Sequence, residues 1–387
     1  MTRNPLHDVA IVGVYNTVQA RVLPEHTSLS ISLEAVRGVL ADSGVALHDI
    51  DGISDSLSGM TYELGIGPTW RGMNRIGVGM VMEAAAAIAT GQCHTVLVVG
   101  GIAGLYTERA STAPWTRPSN EFVATWGLFT AAEFALIARR HMEIHGTTPE
   151  QLATVALTIR NNAYVNPEAV YYGRGPFTVD DVLASRMIAD PFHLLDCSTT
   201  SEGGCAMILT TAERARDLPK PPVYILGGGS DNYGPSYQHP PAFDLMGRPG
   251  FPPNGYVGRT AAKNSFGMAG ISATDVDVCE FYDPFSFEII RQFEAFGFCE
   301  EGEGGDFVMG GTIEVGGKYP VTTDGGTMAF SHTGPVVQMM QRVARGALQL
   351  RGECKTQQVQ DAKIALCTNG GAGALFTDVI VLGAEQP

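Results

Sequence analysis

The chain has 387 residues, 44% of them hydrophobic and 17% charged, enough for two or three domain-sized cores of an ordinary globular protein. A formal charge of −15 excludes a general nucleic-acid or anionic-membrane binder. Seven irregularly spaced cysteines without a CxxC pair exclude a disulfide framework and leave no metal site to expect.

The first apolar run, Val9–Val14, is too short for a signal peptide and reads as a buried strand through Tyr15. No stretch reaches about 18 uninterrupted apolar residues, so no membrane span is expected and the cytoplasm is the expected location. Thr27 or Ser28 caps a helix whose apolar positions Ile31, Ala35, Val36, Val39 and Leu40 fall at helical spacing, and Gly44 closes it. Residues 77–90 are small and apolar all round, which predicts a buried helix, and 95–100 follows as a central strand. This alternation predicts a parallel α/β layer.

The pattern breaks from Pro114 to Thr130, where tryptophans stand among polar residues. Helical periods return over 131–145 and 149–162. His141 and His145 sit four apart there, and the expected setting is an exposed helix face rather than a metal site. Strands are predicted over 205–210 and 223–226, the second ending at the glycines 227–229. Residues 234–254 hold six prolines and no period, so the boundary between halves is placed at its end: 1–250, with a loop excursion at about 105–200, and 251–387. Beyond it the alternation restarts, with helix 257–268, strand 278–282, helices 285–295 and 335–350, and strands 363–367 and 377–382. The acidic stretch Glu301–Asp306 lacks calcium-loop spacing and reads as a solvated turn.

Four motifs carry chemistry. Asp196-Cys197 with Ser201-Glu202-Gly203-Gly204 resembles the DC…SDGG segment of sterol-carrier-type thiolases. Glu280-Phe281-Tyr282-Asp283-Pro284-Phe285 stands where that branch has a His-Asp-Cys-Phe block. Asp324-Gly325-Gly326 with His332 six residues on is similar to the GG…GHP loop, and Cys367 with Gly370-Gly371-Ala372-Gly373 to the last glycine loop. The chain thus resembles the thiolase superfamily over almost its whole length, which implies a duplicated αβαβα five-layer α/β fold. The resemblance puts His332 at the catalytic histidine.

Two departures narrow the function. The family's nucleophilic cysteine opens the buried helix, and that place falls near Asn74, while no cysteine occurs before Cys93. An amide forms no acyl-enzyme, so thiolysis through an acyl-cysteine at that place is excluded. Tyr282 replaces the histidine of the His-Asp-Cys-Phe block. The combination resembles the lipid-transfer-protein-like aldolases of steroid side-chain degradation, which cleave a β-hydroxyacyl-CoA into a ketone or aldehyde and a shorter acyl-CoA. In that group a tyrosine at the Tyr282 position is implicated in catalysis, whereas a second tyrosine usually stands where this chain keeps His332.

The expected roles follow. Tyr282 serves proton transfer at the hydroxyl, although a free phenol with a pKa near ~10 needs nearby positive charge or hydrogen bonds to act as a base. His332 serves the enolate oxygen or the α-carbon. Cys367, Gly371 and Asn74 are candidates for the pocket lining, and Tyr233 and Tyr237 for a second phenol or a substrate wall. The plain alternatives are a strand-end core tyrosine at 282 and a buried inert thiol at 367. No cofactor is expected, with a CoA thioester as substrate. The resemblance also implies a homodimer and a small companion with an OB-fold and a zinc ribbon. Competing functions are a non-catalytic acyl-CoA-binding scaffold, and an acyltransferase using Cys93 or Cys367.

Overall fold

The computed structural model describes residues 4–57, 59–73, 76–104, 130–232, 257–370 and 376–387. The irregular stretches around Pro114 and Gly234–Asn254 lie essentially outside them.

The first half contains β1 (Val9–Asn16), α1 (Ser28–Ser43), β2 (Gly52–Asp55), β3 (Trp70–Arg71), α2 (Gly77–Ala89) and β4 (Thr95–Ile102). Two helices of the insertion follow, α3 (Thr130–His145) and α4 (Pro149–Tyr164), before β5 (Gly203–Thr211). The rest is β6 (Val223–Asn232), α5 (Arg259–Ala269), β7 (Val278–Glu280), α6 (Ser286–Ala295), α7 (Gly334–Arg351), β8 (Ile364–Thr368) and β9 (Phe376–Gly383). Local chemistry sets several ends. Thr27 and Ser30 form a reciprocal capping box for α1, and Gly44 closes it at φ +71°. Thr148 and Gln151 repeat the box at α4, with Pro149 in its first turn.

Nine strands join in the order β3-β2-β4-β5-β1-β6-β9-β8-β7. The sheet is mixed, not parallel as the alternation predicts. β4 runs parallel to β2 but antiparallel to β5, and β8 runs parallel to β7 but antiparallel to β9. β5 arrives from far along the chain, after the insertion, where local periodicity carries no signal, whereas β9 follows β8 directly in sequence. The pairing repeats: β1-α1-β2-α2-β4-β5 is matched by β6-α5-β7-α7-β8-β9, so the duplication is real. This topological repeat begins at Val223, ahead of the irregular stretch at whose end the sequence reading divides the halves.

The halves meet through two residue pairs of β1 and β6 and, above all, through α2 and α7. These two helices form a central layer. One apolar cluster joins Val78, Met80, Val81 and Ala84 of α2 to Val336, Val337, Met340 and Val343 of α7, and to strand residues of both halves such as Val98 and Ile380. Gly77 lets the helices close: a Cβ there would stand 2.3 Å from both Val336 O and Met340 N. Helix α1 covers the outer face of the first half and α5 that of the second. The expected five-layer duplicated α/β fold is borne out.

Four local readings change. β6 runs on through Gly227–Gly229, and β7 stops at Glu280, two residues short of Tyr282. His141 is not on an exposed face: its Nε2 lies 3.0 Å from Glu294 Oε2 and its Nδ1 3.0 Å from Thr147 Oγ1. The acidic 301–306 stretch runs into a short helix, Gly304–Phe307, whose Gly304 and Gly305 are buried. The two helices expected in the insertion are present, and the described part of it buries Phe134, Leu152, Ile159 and Phe192.

Candidate active site

Alternation along β7 divides its side chains between two cores. Cys279 and Phe281 enter the outer cluster, while Val278 and Tyr282 enter the central one. Tyr282 is 2% exposed and shares that cluster with Val78 and Val336, from the first turns of α2 and α7. Its backbone is held on both sides. The amide donates to Thr368 Oγ1 at 3.1 Å and the carbonyl accepts Gln292 Nε2 at 2.7 Å, while Thr368 donates to Gln292 Oε1 at 2.5 Å.

The next residue joins this strand end to the loop that carries His332. The Asp283 carboxylate accepts Thr327 N at 2.7 Å, Thr327 Oγ1 at 3.1 Å and Met328 N at 3.0 Å. These amides belong to a single wide helical turn, Gly326–Phe330, directly before Ser331 and His332. The Asp196–Gly204 segment closes the arrangement. Ser198 N donates to Pro284 O at 2.9 Å and Thr199 N to Thr327 O at 3.1 Å. The Ser201 hydroxyl accepts His332 N at 2.8 Å and lies 3.0 Å from Thr333 Oγ1 and 3.1 Å from Ser331 Oγ. Ser331 donates to Gln19 Oε1 at 2.7 Å. His332 is half-buried, two residues before α7 begins. Three of the motifs singled out in the sequence therefore meet at the ends of β7 and β5 and at the start of α7, and Thr368, next to Cys367 of the fourth, joins them through Tyr282 N.

Behind them lies a buried ionic network that the sequence reading missed. Arg342 of α7 is wholly buried and pairs with both Asp324 oxygens at 2.8 Å, with Glu280 Oε2 at 3.5 Å from its Nη1. Burial pushes the Glu280 and Asp283 carboxyls each up to about 7, with Arg342 pulling both back down. The available signal was Arg342 itself, a charge among the apolar positions of a helix that must be buried. Arg160 of α4 was missed too. It donates to Leu195 O at 2.7 Å and Cys197 O at 2.8 Å, fixing the start of the Asp196 segment.

None of the seven thiols is set up as a nucleophile. Burial raises every one for which a shift is resolved, with Cys93, Cys197, Cys299 and Cys354 pushed up to about 12 and Cys205, Cys279 and Cys367 higher still. Cys93 follows the far end of α2, about 20 Å from Gly77 at 1.5 Å per residue. Cys367 is paired within β8 and packs its sulfur toward Gly346, well along α7 from His332. Asn74, Tyr233, Tyr237 and Gly371 lie outside the described residues.

A family profile described as "Thiolase C-terminal domain-like" matches residues 256–384. The chain is 34% identical to the 17-hydroxy-3-oxo-4-pregnene-20-carboxyl-CoA lyase of Mycobacterium tuberculosis, over 89% of this chain and 91% of that one. The chain belongs to the thiolase superfamily. Within the superfamily it is also 32% identical to an acetyl-CoA acetyltransferase of Methanothermobacter thermautotrophicus, over 95% of this chain and 97% of that one. The solved "Ltp2-ChsH2(DUF35) aldolase" superposes with a TM-score of 0.85 at 30% identity, covering 98% of this chain and 99% of that one. Since thiolase-superfamily relatives with different chemistry match almost equally well in sequence, the site has to separate them. Among the described residues, no helix is long and apolar enough to cross a membrane.

Proposed function

We propose that this chain is an aldolase that cleaves a β-hydroxyacyl-CoA with a bulky, steroid-like acyl group into a ketone or aldehyde and a short acyl-CoA such as propionyl-CoA. One observation supports the reading: Asp283, next to Tyr282, is hydrogen-bonded to the turn that leads to His332, while burial raises the thiols of the chain far above neutrality. Acyl transfer of the kind named for the Methanothermobacter relative requires a thiolate at the mouth of α2, and no cysteine precedes Cys93.

Retro-aldol cleavage needs no acyl-enzyme. A base takes the β-hydroxyl proton, the oxygen's electron pair forms the new carbonyl, and the bond between the α- and β-carbons breaks. Its electrons move onto the thioester as an enolate, which an acid then protonates at the α-carbon. In this reading Tyr282 moves the proton at the hydroxyl, and His332 donates to the enolate oxygen or returns the proton. An oriented donor of that kind contributes about 10²–10³ in rate. Asn74, Tyr233, Tyr237, Gly371 and Cys367 remain supporting candidates by their place in the sequence.

The assembly read alongside it is a homodimer with a small OB-fold and zinc-ribbon companion; the name of the similar aldolase structure supports only the companion, pairing that protein with a DUF35 protein. The test is to co-express the chain with such a companion and supply β-hydroxyacyl-CoA thioesters with steroid and shorter acyl groups. A free ketone and a shortened acyl-CoA are expected by mass spectrometry. Tight thioester binding with no cleavage of any of them would instead favour a non-catalytic scaffold.

A further inference from the structure

We propose that Arg342 is the positioning residue of this site: from the third turn of α7 it holds the Asp324 turn and the Glu280 strand end in one fixed relation, and thereby sets where Tyr282 and His332 stand. The proposal rests on the aldolase reading for its kinetic consequences but not for its geometry.

Glu280 and Tyr282 are two residues apart on one side of the β7 strand end. Asp324 opens the turn whose chain leads through Gly326–Phe330 to His332. Arg342 spans both, with a two-pronged pairing to Asp324 and an Nη1 contact to Glu280. The turn is built to meet it. Thr322 is a β-branched residue at φ +46°, a backbone conformation such residues rarely adopt. It is held there by Thr322 N to Cys279 O at 2.9 Å, Thr322 Oγ1 to Phe281 O at 3.0 Å, and Asn162 Nδ2 to Thr322 O at 3.2 Å. That strained corner turns Thr323 onto Glu280, Oγ1 to Oε1 at 2.5 Å, and aims Asp324 at Arg342. Arg345, one turn further on, donates to Thr323 Oγ1 at 2.8 Å. Strain kept at such a corner points to a constraint other than stability. So does Arg342 Nε, which is buried and has no hydrogen-bond partner among the described residues.

The network is short of positive charge. Arg342 and Arg345 face Glu280 from β7, Asp324 from the turn and Asp283 from the loop before α6. The thiols of Cys205 on β5, Cys367 on β8 and Cys354 after α7 face the network and are held neutral by burial. Two cations against three carboxyls leave the network one positive charge short, and burial raises Glu280 and Asp283 each to about 7.

Arg342→Lys keeps the charge but cannot grip both Asp324 oxygens. Glu280→Gln keeps an oxygen for Thr323 while removing a charge. With the companion-bound enzyme and a substrate that the wild type cleaves, Arg342→Lys is expected to lower kcat about 100-fold with KM unchanged, as a small misplacement of reacting groups does. Glu280→Gln is expected to move the midpoint of the inflection near neutral pH in the kcat profile, because Asp283 and His332 then face one carboxylate fewer. Wild-type kcat in the first variant and a wild-type pH profile in the second would overturn the proposal, and if Arg342→Lys does not fold, Glu280→Gln decides alone. A wild type that cleaves no thioester refutes the aldolase reading only. The positioning claim is then read from the ring NMR signals of His332, assigned with His332→Asn. Their pH titration is expected to have a different midpoint in Glu280→Gln from that in the wild type, and identical titrations in both would overturn it.

Discussion

Asp283 accepts the backbone N–H of Thr327 at 2.7 Å. The residue after Tyr282 thus holds the turn that leads to His332, and the two proposed catalytic side chains are parts of one laced unit. Asp283→Asn replaces one accepting oxygen with an amide that faces Met328 N, donor against donor. Leaving buried donors unpaired costs about 1–3 kcal/mol. Urea unfolding should show a loss in that range, together with reduced turnover.

Glu280 and Asp283 make the fold's stability depend on pH in an uncommon direction for carboxyls. Their folded pKa values, each raised to about 7, lie above the ordinary values of about 4 in the unfolded chain. Between those limits the folded state binds more protons, so these groups' contribution to stability falls as pH rises toward 7 and is level above it. Unfolding midpoints measured from pH 5 to 8 should fall less steeply in Glu280→Gln than in the wild type.

The legible part of the molecule is the part written in local chemistry. Thr27 and Gly44 mark α1, the unbroken small apolar run marks α2, and the spacing of Gly326 and His332 marks the site loop. The rest depends on partners far along the chain. β6 continues through Gly227–Gly229 because α5 lies directly on it, with Ala261 O only 2.6 Å from where a Cβ on Gly229 would be. The same glycines read as a turn when no helix is in view. His141 looks solvent-facing by period, and Glu294, which buries it, comes from α6. Asp324 and Glu280 were visible as motif letters, but Arg342, which gives both their purpose, is separated from Asp324 by the whole His332 loop.

Gly77 is the contact point between the two central helices. A Cβ there would meet backbone atoms of Val336 and Met340, which cannot rotate away. Gly77→Ala should therefore destabilise the chain by about 1–3 kcal/mol, as overpacking does. It should also lower turnover, because the first turns of α2 and α7 flank Tyr282. Unfolding and kinetic measurements on the same preparation check both.

The buried thiols predict a protein indifferent to thiol chemistry. Iodoacetamide applied to the folded chain near neutral pH should leave turnover unchanged. Intact-mass measurement after incubation with substrate should find no acyl adduct. An adduct on Cys93 or Cys367 would place the chain with the acyl-transferring thiolases.

The central claim is that a phenol and not a sulfur moves the proton, and turnover by Tyr282→Phe tests it most directly. With an unfolding midpoint equal to the wild type's, the variant is expected to lose about 10²–10⁴ in kcat on a thioester that the wild-type complex cleaves. Wild-type turnover by folded Tyr282→Phe would contradict the account.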